Sequence, residues 1–178
     1  MTEVRAGLAL AWIASAWVTG CAHTQVAIPA LPVGPVTPPT AQELQNWDEA
    51  VALFARNDEA AEWDGEACHS TLAAFERISS QRGGQSARAV YMSGLVAQRC
   101  GNVGGARQLF ERALELESDL CEPRVALGLM ALDEGHAARA REEFETAVAR
   151  DNRCAPGYVN LAVLQLQQPE EREAAIEN

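Results

Sequence analysis

Lysine is missing from this chain: all 14 residues counted as Lys or Arg are arginine. Without it there is no phosphate-loop ammonium, no Schiff-base amine and no kinase-type ATP lysine. Histidine is scarce too, and His23, His69 and His136 are scattered through the sequence. Cys68 and His69 are adjacent, so on a helix their side chains diverge by about 100° and joint metal ligation is disfavoured. The patterns G-x-S-x-G, H-E-x-x-H and C-x-x-C do not occur, which leaves nucleophilic and zinc-dependent catalysis without a recognisable constellation. No catalytic residue, metal, cofactor or small-molecule substrate is expected. Positive charge is also in deficit: 25 Asp and Glu give a net charge of −11, the wrong sign for neutralising nucleic-acid phosphates. Aromatics make up only 6% of a chain that is 48% hydrophobic, and abundant alanine suits closely packed helices better than strands. An all-α fold is expected, and 178 residues allow one domain or a short repeat array.

What is present begins with an apolar run. Residues 6–20 (AGLALAWIASAWVTG) carry no charge and fall short of the roughly 20 residues that span a bilayer as a helix. That length fits a signal-peptide core, although Glu3 offsets Arg5 in the segment before it. The run ends Val18-Thr19-Gly20-Cys21, which resembles the bacterial lipoprotein cleavage box. The resemblance implies a signal peptide over 1–20 and acylation of Cys21, on its thiol and its freed amine. At about 0.8 kcal/mol per buried methylene, several palmitate-like chains anchor stably where one binds reversibly. Ala22 at the following position resembles lipoproteins sent to the outer membrane, and the expected location is the outer membrane, facing the periplasm. Residues 21–41 then form a linker with Pro29, Pro32, Pro35, Pro38 and Pro39. In polyproline II, at about 3.1 Å per residue, it would hold a domain on the order of 60 Å from the lipid.

Residues 42–178 carry an internal repeat. A shift of 34 residues superposes Gly94, Leu95, Ala97, Gly101, Ala106, Arg107, Phe110, Glu111 and Ala113 on Gly128, Leu129, Ala131, Gly135, Ala140, Arg141, Phe144, Glu145 and Ala147. Nine identities exceed the roughly two or three that chance supplies. Each unit reads as helix, turn, helix, with Gly101 and Gly135 ending the first helices in the left-handed conformation. With Leu127-Gly128, Ala140-x-x-x-Phe144 and Ala147, the unit resembles the tetratricopeptide repeat, which implies a helical solenoid. Repeats are expected at about 87–120 and 121–154, with an incomplete one at 155–178. Residues 42–82 read as a degenerate pair with helices over 42–57 and 60–80, the spare residue in the Arg82-Gly83-Gly84 turn, and Trp47, Phe54 and Trp63 closing the stack. An array usually ends in a polar capping helix, so the sequence at Asn178 reads as a fragment or as an end covered by a partner.

A narrower resemblance rests on Cys68-x6-Phe75 and on Tyr91-x-x-Gly94-Leu95-x-x-Gln98-Arg99-Cys100-Gly101. Behind a lipoprotein box and a proline tether, these strings are similar to the tetratricopeptide lipoproteins of myxobacterial adventurous gliding motility. The implied role is a non-enzymatic scaffold of a cell-envelope complex, with protein partners and a membrane contact through the lipid. The alternative is an assembly factor that holds outer-membrane proteins, or pilus and secretin subunits, during insertion. Repeat register places Tyr91, Leu95, Gln98, Arg99, Val125, Leu129, Leu132, Asp133, Val159, Val163 and Leu166 along the first helices, facing a concave, largely apolar groove. They are the expected partner-binding residues, the competing reading being that some of them pack against a further helix. Tetratricopeptide clamps for a terminal carboxylate use lysine, so that ligand is disfavoured.

Four cysteines remain beside Cys21, in a compartment that oxidises thiols. In such a stack the elements bearing Cys68 and Cys100 pack directly, making a Cys68–Cys100 disulfide the first choice; free thiols used as small apolar fillers are the alternative. Cys121 and Cys154 open successive first helices whose axes should lie about 8–10 Å apart. For that pair free thiols are the expectation.

Overall fold

The computed structural model describes residues 38–81 and 86–167. Signal peptide, Cys21, nearly all of the linker, the Arg82-Gly83-Gly84 turn and the last residues of the incomplete repeat lie outside them. Within them the chain is helical, with no strand, and runs α1 (Ala41–Ala60), α2 (Gly65–Gln81), α3 (Ala87–Arg99), α4 (Val103–Leu116), α5 (Cys121–Asp133), α6 (Ala137–Arg150) and α7 (Ala155–Gln167). Each helix packs on its sequence neighbours, and α5 also touches α7. The result is a succession of helix pairs in a tetratricopeptide-like solenoid.

The repeat at 34 is a packing device. Gly94 on α3 lies under the ring of Phe110 on α4, and a Cβ at Gly94 would come within 2.7 Å of Phe110 Cδ1. The same pair recurs one repeat on, where a Cβ at Gly128 would come within 2.8 Å of Phe144 Cδ1. Phe110 and Phe144 are fully buried, as are Ala106, Ala113 and Ala140. Small residues on one helix thus admit a large ring from the other, which is how interiors reach close packing. At the degenerate first pair the ring is Phe75, fully buried, and Trp47 meets it edge-on with centroids 5.9 Å apart. Phe54 and Trp63 stack obliquely beside it at 5.3 Å, so the three aromatics close that end of the core.

Turns follow from backbone needs. Gly101 and Gly135 have φ of +77° and +79°. Gly101 N–H donates to Gln98 O at 3.1 Å and Asn102 N–H to Ala97 O at 2.9 Å; Gly135 and His136 repeat the pattern on Leu132 and Ala131 at 2.9 and 2.8 Å. These two bonds per turn satisfy the orphan carbonyls of α3 and α5, and the left-handed residue between them is one that glycine adopts without strain. Asn102 then caps α4 by accepting from Gly105 N–H at 2.9 Å, so the Gly101–Gly105 stretch works as an interhelix turn.

The first turn differs from the sequence reading. The helices there are 41–60 and 65–81 rather than 42–57 and 60–80. Two local features move the boundary. Ala61 takes the left-handed conformation at φ 53° and closes α1, and the Asp64 carboxylate accepts from Ala67 N–H at 2.8 Å, starting α2 later. At the other end Thr40 and Glu43 form a reciprocal capping box on α1.

The four described cysteines are paired. Cys68 on α2 and Cys100 at the end of α3 lie with Cα atoms 6.0 Å apart and their sulfurs at bonding distance. Cys121 and Cys154, expected as free thiols, are also at bonding distance, with Cα atoms 5.7 Å apart. The expectation used the separation of helix axes. Both cysteines do sit at helix starts, Cys121 opening α5 and Cys154 just before α7, but there the backbones approach more closely than the axes do, with the Cα atoms 5.7 Å apart.

Candidate functional site

A groove of about 440 Å³ opens between α3 and α5. Helical spacing builds it: residues three, four and seven apart share one face. Tyr91, Leu95, Gln98 and Arg99 come from α3, and Glu122, Val125, Ala126, Leu129 and Asp133 from α5, with Pro156 at the edge. Seven of the eleven residues assigned to partner binding from the sequence therefore line one cavity.

Their depths differ. Leu129 is 41% exposed and is the open apolar contact of the groove. Tyr91 and Leu95 are half-buried and rest on the core around Phe110, with the Tyr91 and Phe110 rings 5.7 Å apart. Val125 is buried in the core with Cys121, Ala131 and Phe144, so it forms floor rather than contact surface. Leu132 packs against that same core and does not line the groove, since its position turns it toward α6 and α7. Val159, Val163 and Leu166 are exposed on α7 but stand apart from this cavity. Register names a helix face; it does not say how far the next helix covers it.

Electrostatics divide the groove. Arg99 donates from Nε to Asp58 Oδ1 at 2.5 Å, tying α1 to the end of α3. That hydrogen bond and charge hold the Asp58 carboxyl below its usual range, and the guanidinium is raised in return. The pair is exposed, so its own contribution to stability is about 0–1 kcal/mol, but it engages the cation that the sequence reading assigned to a partner. Tyr91 is pushed up to about 12, first by burial and then by the charge of Glu122, with Arg99 opposing. The phenol is therefore neutral at physiological pH and acts as a hydrogen-bonding rim on an aromatic body. Glu122 and Asp133 are exposed and form no ion pair among the described residues. Glu122 was missed in the sequence. Its signal was available, because it lies three residues before Val125 and eleven before Asp133, on the same helical face.

Other charges stitch the scaffold. Arg107 on α4 reaches Glu134 beyond α5 at 2.5 Å, Arg124 on α5 meets Glu143 on α6 at 3.4 Å, and Arg150 meets Asp119 at 3.6 Å. Among the described residues no group of three or more His, Cys, Asp or Glu is placed to hold a metal ion, and no helix is long and apolar enough to cross a membrane.

Helix pairs repeating at 34 residues, glycine-on-ring packing and a concave groove lined by the first helices define the class as a tetratricopeptide-like solenoid. No protein-family model matches the chain. Tetratricopeptide repeat protein 7A of Homo sapiens is 33% identical to it over 88 residues, which is 49% of this chain and 10% of the human protein. The chain thus spans about a tenth of the length of that curated relative.

Proposed function

We propose that this protein is a non-enzymatic docking scaffold, held at the outer membrane by a lipid on Cys21 and presenting the α3–α5 groove to a protein partner of a cell-envelope machine. The observation that carries the docking reading is Leu129: a large apolar side chain, 41% exposed, in a concavity with Tyr91 and Leu95. Apolar surface kept in such a groove favours a protein segment as occupant. The match to a tetratricopeptide repeat protein across 49% of the chain supports the same reading. The lipobox-like Val18-Thr19-Gly20-Cys21 supports the anchor, and the similarity of the Cys68, Tyr91 and Cys100 strings to gliding-motility lipoproteins supports an envelope motility complex. The absence of lysine removes Schiff-base and phosphate-loop lysine chemistry.

Two tests separate the parts of the proposal. Cys21→Ser should release the protein from the membrane fraction to the soluble periplasm, because anchoring needs more than one acyl chain; unchanged fractionation would remove the lipid anchor. A charge at Leu129 should abolish co-purification of the partner, since an apolar segment over it would have to bury that charge.

A further inference from the structure

Resting on the docking reading, we infer that the groove selects a cationic amphipathic helix of a partner protein, one whose contact stripe runs cation, apolar, apolar, cation. Glu122, Ala126, Leu129 and Asp133 all line the groove and stand at spacings of four, three and four residues along one helix. They form a straight stripe in which two carboxylates bracket an apolar centre, about 16 Å apart at 1.5 Å per residue. Neither carboxylate has an ion-pair partner among the described residues, and the groove's own cation, Arg99, is engaged by Asp58. An occupant that covers Leu129 therefore also lies against two uncompensated negative charges. A helix with cations at its first and twelfth positions and apolar residues at its fifth and eighth repeats that spacing, and the pattern reads the same in either direction.

Two other occupants fit less well. The chain's own linker, residues 22–41, is apolar and proline-rich but contains neither lysine nor arginine, so it leaves both carboxylates unmatched. A second copy carries a net charge of −11 and is repelled at long range. Complementary charge, by contrast, steers encounter and excludes wrong partners.

The test is fluorescence anisotropy with the full-length chain and three labelled twelve-residue peptides. Each has leucine at the fifth and eighth positions and alanine and glutamine between, and they end in arginine, glutamine or glutamate at both termini. The arginine-ended peptide should bind at least about ten-fold more tightly than the glutamate-ended one, and raising salt should erase that advantage. Glu122→Gln with Asp133→Asn should erase it as well, while leaving the glutamine-ended peptide's affinity in place. Equal affinities for all three peptides, each lost in Leu129→Glu, would overturn the charge inference and leave the docking reading standing. Absence of binding by any peptide would count against both. If deleting residues 22–37, which leaves the Thr40 cap of α1 in place, raised all three affinities alike, the linker would be the occupant and the cationic partner would be wrong.

Discussion

Phe144→Ala should melt far below the parent chain. The ring is fully buried and fills the space that Gly128 leaves on α5, so its removal costs the transfer free energy of the ring plus that of a cavity, about 3–5 kcal/mol. Native domains have only about 5–15 kcal/mol in total, and on a domain of this size the loss corresponds to a fall in melting temperature on the order of 10 °C. The reverse insult should hurt for the same reason: Gly128→Val adds atoms where a Cβ alone would come within 2.8 Å of Phe144 Cδ1, and overpacking costs about 1–3 kcal/mol or more. Thermal melts followed by circular dichroism check both variants. Parent-like melting of Phe144→Ala would mean that the glycine-on-ring contact does not hold α5 to α6.

Removing both disulfides should be comparably costly. They close loops of similar length, with sequence separations of 32 and 33 residues, and the chain-entropy model assigns each about 3–4 kcal/mol through restriction of the unfolded chain. Cys68–Cys100 ties α2 to α3, and Cys121–Cys154 ties the start of α5 to the start of α7. No such link crosses from α4 to α5, so reduction should loosen the two ends of the solenoid while Phe110 and Phe144 still hold the central pairs. Melts with and without reductant, and mass spectrometry of non-reduced peptides, report the effect and the pairing. Identical melts, or free alkylation of all four thiols in exported protein, would contradict it.

Part of this fold follows from the sequence alone. The 34-residue register picked out Gly94 and Phe110 and their repeats Gly128 and Phe144, because a packing solution used twice leaves the same residues twice; that each glycine lies under the ring is a contact between helices that spacing does not give. Gly101 and Gly135 announced their turns for the same reason. The turn between α1 and α2 occurs once, and its position depends on the left-handed Ala61 and on Asp64, neither of which belongs to a repeated pattern. Within the groove, spacing identified the face but not its depth: Val125 and Leu129 are four residues apart on one helix, yet one is 5% and the other 41% exposed. That difference is made by how α6 and α7 cover one side of α5, a tertiary matter. Arg99 illustrates the same limit, since its partner Asp58 lies 41 residues away and no local rule joins them.

If the concave face between α3 and α5 receives a protein segment, Leu129→Glu and Val103→Glu should behave differently in co-purification from the native envelope. Both side chains are exposed, at 41% and 51%, but Leu129 lines the groove and Val103 opens α4 away from it. Tyr91 is unsuited to this comparison because its ring also supports Phe110. With circular dichroism unchanged in both variants, Leu129→Glu should lose the partner and Val103→Glu should keep it. Retention of the partner by a folded Leu129→Glu chain would contradict docking in this groove.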